Sequence, residues 1–223
     1  MTSRTAAIVF RLFFAALALF AVGAQLFTRH LPSGYDPVNF FSYFTNISNI
    51  FISVVFIISA VRLIRGKTQV SAMDAAIRGA AVVYIVFVGL VFNTLLVGVD
   101  LGDLMPWVNI VCHFVMPIVG LLDWLIWPPR RRIPLATAFW WMSFPALYVA
   151  YTLIRGAILT WYPYPFFNPA QVGGYGGVAL YCAGMLVGFL VLALLIRWLG
   201  NVLGARRDAK HEDAKDDDTV RRG

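Results

Sequence analysis

The chain has 223 residues, 60% of them hydrophobic and 13% charged, with a net charge of +7 and a mean hydropathy of +0.76. Soluble domains run near 45–50% apolar and about 25% charged. The excess of apolar residues excludes a soluble enzyme, a disordered chain and a nucleic-acid-binding module despite the positive charge, and points to a polytopic membrane protein.

Six apolar runs, at 5–28, 39–65, 75–97, 107–127, 135–160 and 174–200, are each long enough to cross hydrocarbon, which takes roughly 20 helical residues. Helices suit them because the backbone then satisfies its own hydrogen bonds where no water is available. Short connections make successive helices antiparallel neighbours. The expected fold is therefore all-α: a six-transmembrane-helix bundle over residues 1–200 and a charged, disordered tail over 201–223.

The first run also has the anatomy of a signal peptide, with Ala-Val-Gly-Ala at 21–24 as a cleavage site. Its apolar character continues through Phe27, and removal would leave an odd number of spans, so we read it as a span. The second run opens Asn-Phe-Phe-Ser-Tyr-Phe-Thr-Asn-Ile-Ser-Asn at 39–49. On a continuous helix Ser42, Thr45, Asn46, Asn49 and Ser53 fall within an arc of about 100°. Such a polar stripe either holds helices together by hydrogen bonds or lines a site. The third run places Asn93 near its outer end.

The fourth run reads Trp-Val-Asn-Ile-Val-Cys-His-Phe-Val-Met-Pro at 107–117. His113 is the only histidine within a span; His30 and His211 fall in a loop and in the tail. Pro117 has no N–H, so the carbonyl of His113 loses its usual helical partner. A lone intramembrane histidine is either a packing residue or a proton-transfer group, and without a second one bis-histidine haem ligation is excluded. Asp123, near the inner end, is expected to pair with a basic residue. On the fifth run Tyr148, Tyr151 and Arg155 share a side, with snorkelling to the interface as the alternative for Arg155. Gly173 with Gly177, and Gly184 with Gly188, match the spacing for close helix packing. Cys112 and Cys182 have no zinc or disulfide spacing, and Asp100 and Asp103 are too few to form a metal site. No metal and no cofactor are expected.

Lys and Arg set the orientation. Sixteen lie at the N-terminus, in the second and fourth connections, at Arg197 and in the tail, against two, Arg29 and Arg155, on the other side. Both termini are therefore expected to face the cytoplasm, in a multi-pass protein of the bacterial inner (plasma) membrane.

Counting from the outer ends of the runs, Thr45 and His113 each lie about 9 Å deep, and Arg155 about 7 Å. Asn93 sits at a similar depth. Four helices thus bring Thr, His, Arg and Asn to one layer, where nucleophilic ester cleavage is the chemistry on offer. A threonine hydroxyl needs a base to take its proton, and neutral histidine can do so. Asn46, Asn49 and Arg155 are candidate donors to an oxyanion, or Arg155 a partner for a fatty carboxylate. No carboxylate lies at this depth to orient His113, so a two-residue site steadied by Asn93 or a tyrosine is the economical arrangement.

The Phe-Thr-Asn-Ile-Ser-Asn run at 44–49, the His-x-x-x-Pro pattern at His113 and Pro117, and the six short-looped spans resemble the androgen-induced-gene family. That family includes the androgen-dependent TFPI-regulating protein and prokaryotic six-span relatives. The segment Tyr-Pro-Tyr-Pro-Phe-Phe-Asn-Pro at 162–169, with Gly173 and Tyr175 after it, is similar to the prokaryotic branch. The resemblance covers residues 4–200 and leaves the tail outside. It implies an integral membrane threonine hydrolase of fatty acid esters of hydroxy fatty acids, with Thr45 as nucleophile, His113 as second essential residue and a membrane lipid or fatty acyl ester as substrate. The alternative from another class is a lipid or small-molecule transporter or sensor using the same polar pocket. A third is a scaffold whose polar stripe only locks helices.

Overall fold

The computed structural model describes residues 3–67, 70–99 and 103–220, with side chains through 207. It is 79% helical and, among the described residues, without strands. The elements are α1 (Ser3–Gln25) with a wider turn at Leu26–His30, α2 (Pro37–Phe41), α3 (Phe44–Ile64), α4 (Ala72–Leu95), α5 (Pro106–Ile110), a π turn at Val111–Val115, α6 (Met116–Ile126), α7 (Leu135–Trp140), α8 (Ser143–Leu159), a single 3-10 turn at Pro165–Phe167, and α9 (Tyr175–Val220). Six helical segments are long and apolar enough to cross a membrane: Ser3–His30, Phe44–Ile64, Ala72–Leu95, Pro106–Ile126, Leu135–Leu159 and Tyr175–Arg207. The chain is thus built as a multi-pass membrane protein.

The backbone of α9 continues through Val220 without a break at 200. Residues 221–223, Asp100 and the side chains of the tail from 208 onward, His211 among them, lie outside the described residues.

Small residues set the spacing of the bundle. Ala15, Ala18 and Ala21 of α1 are wholly buried against the cluster containing Ile52, Val55 and Phe56 of α3, where the missing bulk lets the two backbones approach. Helix α4 is the central element, packed on α3, α6 and α9. It starts at a capping box in which the Ser71 hydroxyl accepts from the Asp74 N–H at 3.1 Å and Asp74 reaches back to the Ser71 N–H at 3.0 Å. Toward its C-terminal end Gly89 lies against Pro117; an added Cβ would stand 2.8 Å from the proline ring. That contact brings α4 onto the histidine turn of the fourth span. Gly184 and Gly188, by contrast, meet nothing within 4 Å, so they do not pack a helix within this chain.

Two spans that the sequence pattern makes continuous are broken. The second enters as α2, capped by the Asp36 carboxylate on the Val38 N–H with Pro37 at the first helical position. It then turns through Ser42 and an extended Tyr43 before α3 begins. Ser42 therefore lies off the polar stripe, with its hydroxyl turned back onto the Val38 carbonyl. The fifth span is interrupted more mildly between α7 and α8, where Trp141 and Met142 keep right-handed helical angles.

At the end of the bundle where α1 begins, the inner end of the expected topology, Asp123 is fully buried and holds two guanidinium groups. Arg11 Nε donates to Oδ1 at 2.7 Å, and Arg78 Nη2 to Oδ2 at 2.8 Å. Arg78 Nη2 also donates to the Trp127 carbonyl at 2.9 Å, and its guanidinium lies over the Trp124 ring. The expected basic partner of Asp123 is thus a pair from the first and third spans, while the adjacent Arg130, Arg131 and Arg132 are exposed. Arg11 and Arg78, counted above as interface charges, are inside the protein.

Candidate functional site

The break before α3 places Thr45 in the first turn of that helix, where backbone N–H groups have no intrahelical acceptor. The Thr45 N–H donates instead to Tyr164 Oη at 3.3 Å. Its hydroxyl Oγ1 lies 3.2 Å from His113 Nε2 and 3.3 Å from Tyr164 Oη. Thr45 and His113 are 8% and 7% exposed, so this cluster is shielded from bulk solvent.

The histidine ring is fixed in orientation and in tautomer. Nδ1 lies 3.2 Å from the Asn109 carbonyl. A carbonyl only accepts, so Nδ1 carries the hydrogen and Nε2 of the neutral ring presents its lone pair to the Thr45 hydroxyl. Phe92 of α4 stacks on the imidazole at 4.0 Å between centroids. The ring sits on the π turn at Val111–Val115, where the Met116 N–H reaches back to the Val111 carbonyl. Widened turns of this kind re-aim a side chain, and here the turn precedes the proline that cannot donate to the His113 carbonyl.

Tyr164 comes from the connection between α8 and α9, which re-enters the mouth of the bundle. Pro163 and Pro165 stiffen it. Its Tyr164 and Phe166 rings stack at 5.1 Å, and both, with Phe167, are buried. Gly156 of α8 makes room for the loop, since a Cβ there would stand 2.0 Å from the Tyr162 ring. Burial pushes the Tyr164 phenol up to about 12, so it stays protonated and keeps an O–H to donate. Sequence reasoning named this segment only for its resemblance. The available signal was its apolar, proline-locked character, which suits a buried wall better than a solvated turn.

The remaining predicted residues divide. Asn46 stands beside Thr45, with Nδ2 donating to the Phe40 carbonyl at 2.8 Å. Asn49 is fully buried, and its Nδ2 donates to the Thr45 carbonyl at 2.9 Å and the Cys112 carbonyl at 3.4 Å. It therefore ties α3 to the histidine turn and has no N–H directed at Thr45 Oγ1. Asn93 is not brought into the cluster: it is exposed, and its amide returns to the Gly89 carbonyl of its own helix. Arg155 donates through Nη2 to Asn39 Oδ1 at 2.7 Å and lies over the Trp161 ring. It stands behind the site wall. Tyr148 and Tyr151 both reach Ser42, at its carbonyl and its hydroxyl respectively.

Two cavities meet at Thr45. One, of about 350 Å³, is apolar and lies between α4, α8 and α9, lined by Val88, Val91, Phe92, Met185 and Phe189 among others. The other, of about 610 Å³, is a polar vestibule under the loops at the opposite end of the bundle from Asp123. Thr45, Tyr164 and Leu96 line both, whereas His113 lines only the vestibule. The arrangement offers a hydroxyl on a correctly protonated base, a phenol donor beside it, and separate compartments for an apolar and a polar portion of one molecule. No protein-family model matches the chain, and no curated protein and no solved structure is significantly similar to it.

Proposed function

We propose that the chain is an integral membrane hydrolase of fatty acyl esters, with Thr45 as nucleophile and His113 as general base. The observation that carries this reading is the 3.2 Å approach of Thr45 Oγ1 to His113 Nε2 with Nδ1 held on a carbonyl, which is hydrogen-bond reach for proton transfer. Thr45 Oγ1 attacks the ester carbonyl as its proton passes to Nε2. The oxyanion that develops has the Thr45 N–H and the Tyr164 O–H as the nearest donors. Collapse breaks the bond to the alcohol, whose oxygen takes the proton from Nε2. Water, deprotonated by the same histidine, then releases the fatty acid and restores Thr45. The Asn109 carbonyl and the Phe92 ring do the orienting that a carboxylate does in many triads.

The resemblance to the androgen-induced-gene family supports the same two residues. The sixteen-to-two distribution of basic residues supports cytoplasmic termini, a site opening toward the outer leaflet, and residence in a bacterial inner membrane. The test is turnover of a fluorogenic long-chain ester and labelling by a fluorophosphonate. Wild-type protein is expected to hydrolyse the ester and to be labelled at Thr45, and Thr45→Ala to do neither. Tight lipid binding with neither cleavage nor labelling would replace the hydrolase by a transporter or sensor.

A further inference from the structure

Which half of an ester enters which cavity follows from where the histidine faces. Nε2 takes the Thr45 proton and must hand it to the departing alcohol oxygen, so the alcohol leaves on the side that His113 lines. That side is the vestibule alone. The acyl chain is left with the apolar chamber, which Thr45 reaches but His113 does not.

The vestibule wall then describes the alcohol. Among its described lining residues are the amides Asn39, Asn46, Asn168 and Gln171, the carboxylate Asp103, and no Lys or Arg. The Arg155 guanidinium, bonded to Asn39 and lying over Trp161, does not line this wall. Asn46 Oδ1, Asn39 Nδ2 and both ends of Gln171 make no hydrogen bond within the described residues. Free amide oxygens and nitrogens offer acceptors and donors together, the match for hydroxyl groups. A carboxylate here would face Asp103 with no Lys or Arg to neutralise it, and a long alkyl chain would desolvate amides without pairing them.

We infer that, on the hydrolase reading above, the substrate is a fatty acyl ester of a small uncharged polyol, as in a monoacylglycerol, with its acyl chain in the apolar chamber and its hydroxyls in the vestibule. The step is the one already written, with the Thr45 proton ending on the polyol oxygen and water supplying the second half. This differs from an ester of a hydroxy fatty acid, whose alcohol portion is long, apolar and anionic.

The experiment compares 1-palmitoylglycerol with the palmitoyl ester of a hydroxystearic acid, using the purified full-length protein in lipid nanodiscs and Thr45→Ala as the blank. The expected result is at least a tenfold higher kcat/KM for the glycerol ester. Gln171→Arg, which puts a cation on the exposed vestibule wall, is expected to narrow that ratio by raising KM for the glycerol ester and lowering it for the anionic one. Equal or reversed preference in the wild type overturns the inference and leaves the hydrolase reading standing. Cleavage of neither ester above the Thr45→Ala blank ends both.

Discussion

The two ends of the bundle each bury a polar cluster, but they treat hydrogen-bonding capacity differently. At the end where α1 begins Arg11 and Arg78 both engage Asp123, Arg78 also engages the Trp127 carbonyl, and none of their atoms is an unpartnered buried one. The buried side-chain atoms without a partner among the described residues are Ser48 Oγ, Asn49 Oδ1, Asn109 Oδ1, Thr152 Oγ1 and Arg155 Nη1, all in the half that holds Thr45. A satisfied buried network specifies structure, and an unsatisfied group needs another explanation, function being one. Polarity alone therefore does not mark a site in this protein. What separates the two ends is spare hydrogen-bonding capacity, which falls only in the half that holds Thr45.

The sharpest way to break that contrast is to remove the nucleophile. Thr45→Ala is expected to abolish ester turnover, and His113→Ala to lower kcat by about 10²–10⁴-fold, as loss of a general base does. Both should leave stability within about 1–2 kcal/mol, the worth of a hydrogen bond. Steady-state kinetics and thermal unfolding in the same detergent check the pair. A large stability loss with activity retained would make the outer cluster another structural lock.

Asp123→Ala should do the reverse. It leaves two buried guanidinium groups without their carboxylate, and breaking a buried pair in this way costs about 3–5 kcal/mol. Unfolding midpoint should drop while kcat per folded molecule is retained. Loss of kcat without loss of stability would move the inner triad to the functional side.

Tyr164→Phe comes next. It keeps the ring stacked on Phe166 and removes only the O–H beside Thr45. Loss of one oxyanion donor lowers kcat by about 10²–10³-fold, and the 3.3 Å separations favour the lower end. KM should hardly move. An unchanged kcat would leave Tyr164 as a wall of the two cavities and nothing more.

The six spans were legible because twenty-residue apolar runs are a composition signal that survives any packing. Thr45 and His113 were legible because polar residues at one depth in a membrane stand out against that background. The same depth arithmetic placed Asn93 in the layer, but depth says nothing about rotation about the helix axis, and Asn93 points away. The break at Ser42 was not legible, since an apolar run with period 3.6 reads the same through a two-residue turn; that break is what frees the Thr45 N–H. Tyr164 was not placed beside Thr45 for a different reason. A loop's depth depends on how it folds back, and no periodicity records that.

Asn49 stands between the two kinds of cluster and gives the smallest and most discriminating effect. One end of its amide is fully used, holding the Thr45 carbonyl and, more loosely, the Cys112 carbonyl beside His113. The other end, Oδ1, has no partner. Asn49→Leu keeps the volume and removes both. If the amide only joins helices, stability falls by about 1 kcal/mol, as for one hydrogen bond, and kcat stays where it was. If it sets the separation of nucleophile and base, kcat falls as well with KM unchanged, because a small misplacement of reacting groups slows the chemical step without weakening binding. The geometry favours the second outcome, since the two carbonyls that Nδ2 holds belong to Thr45 itself and to the residue before His113. A drop in kcat of a few-fold, with KM fixed, would make Asn49 a positioning residue of the outer site, whereas a shift in unfolding midpoint alone would return it to the architecture.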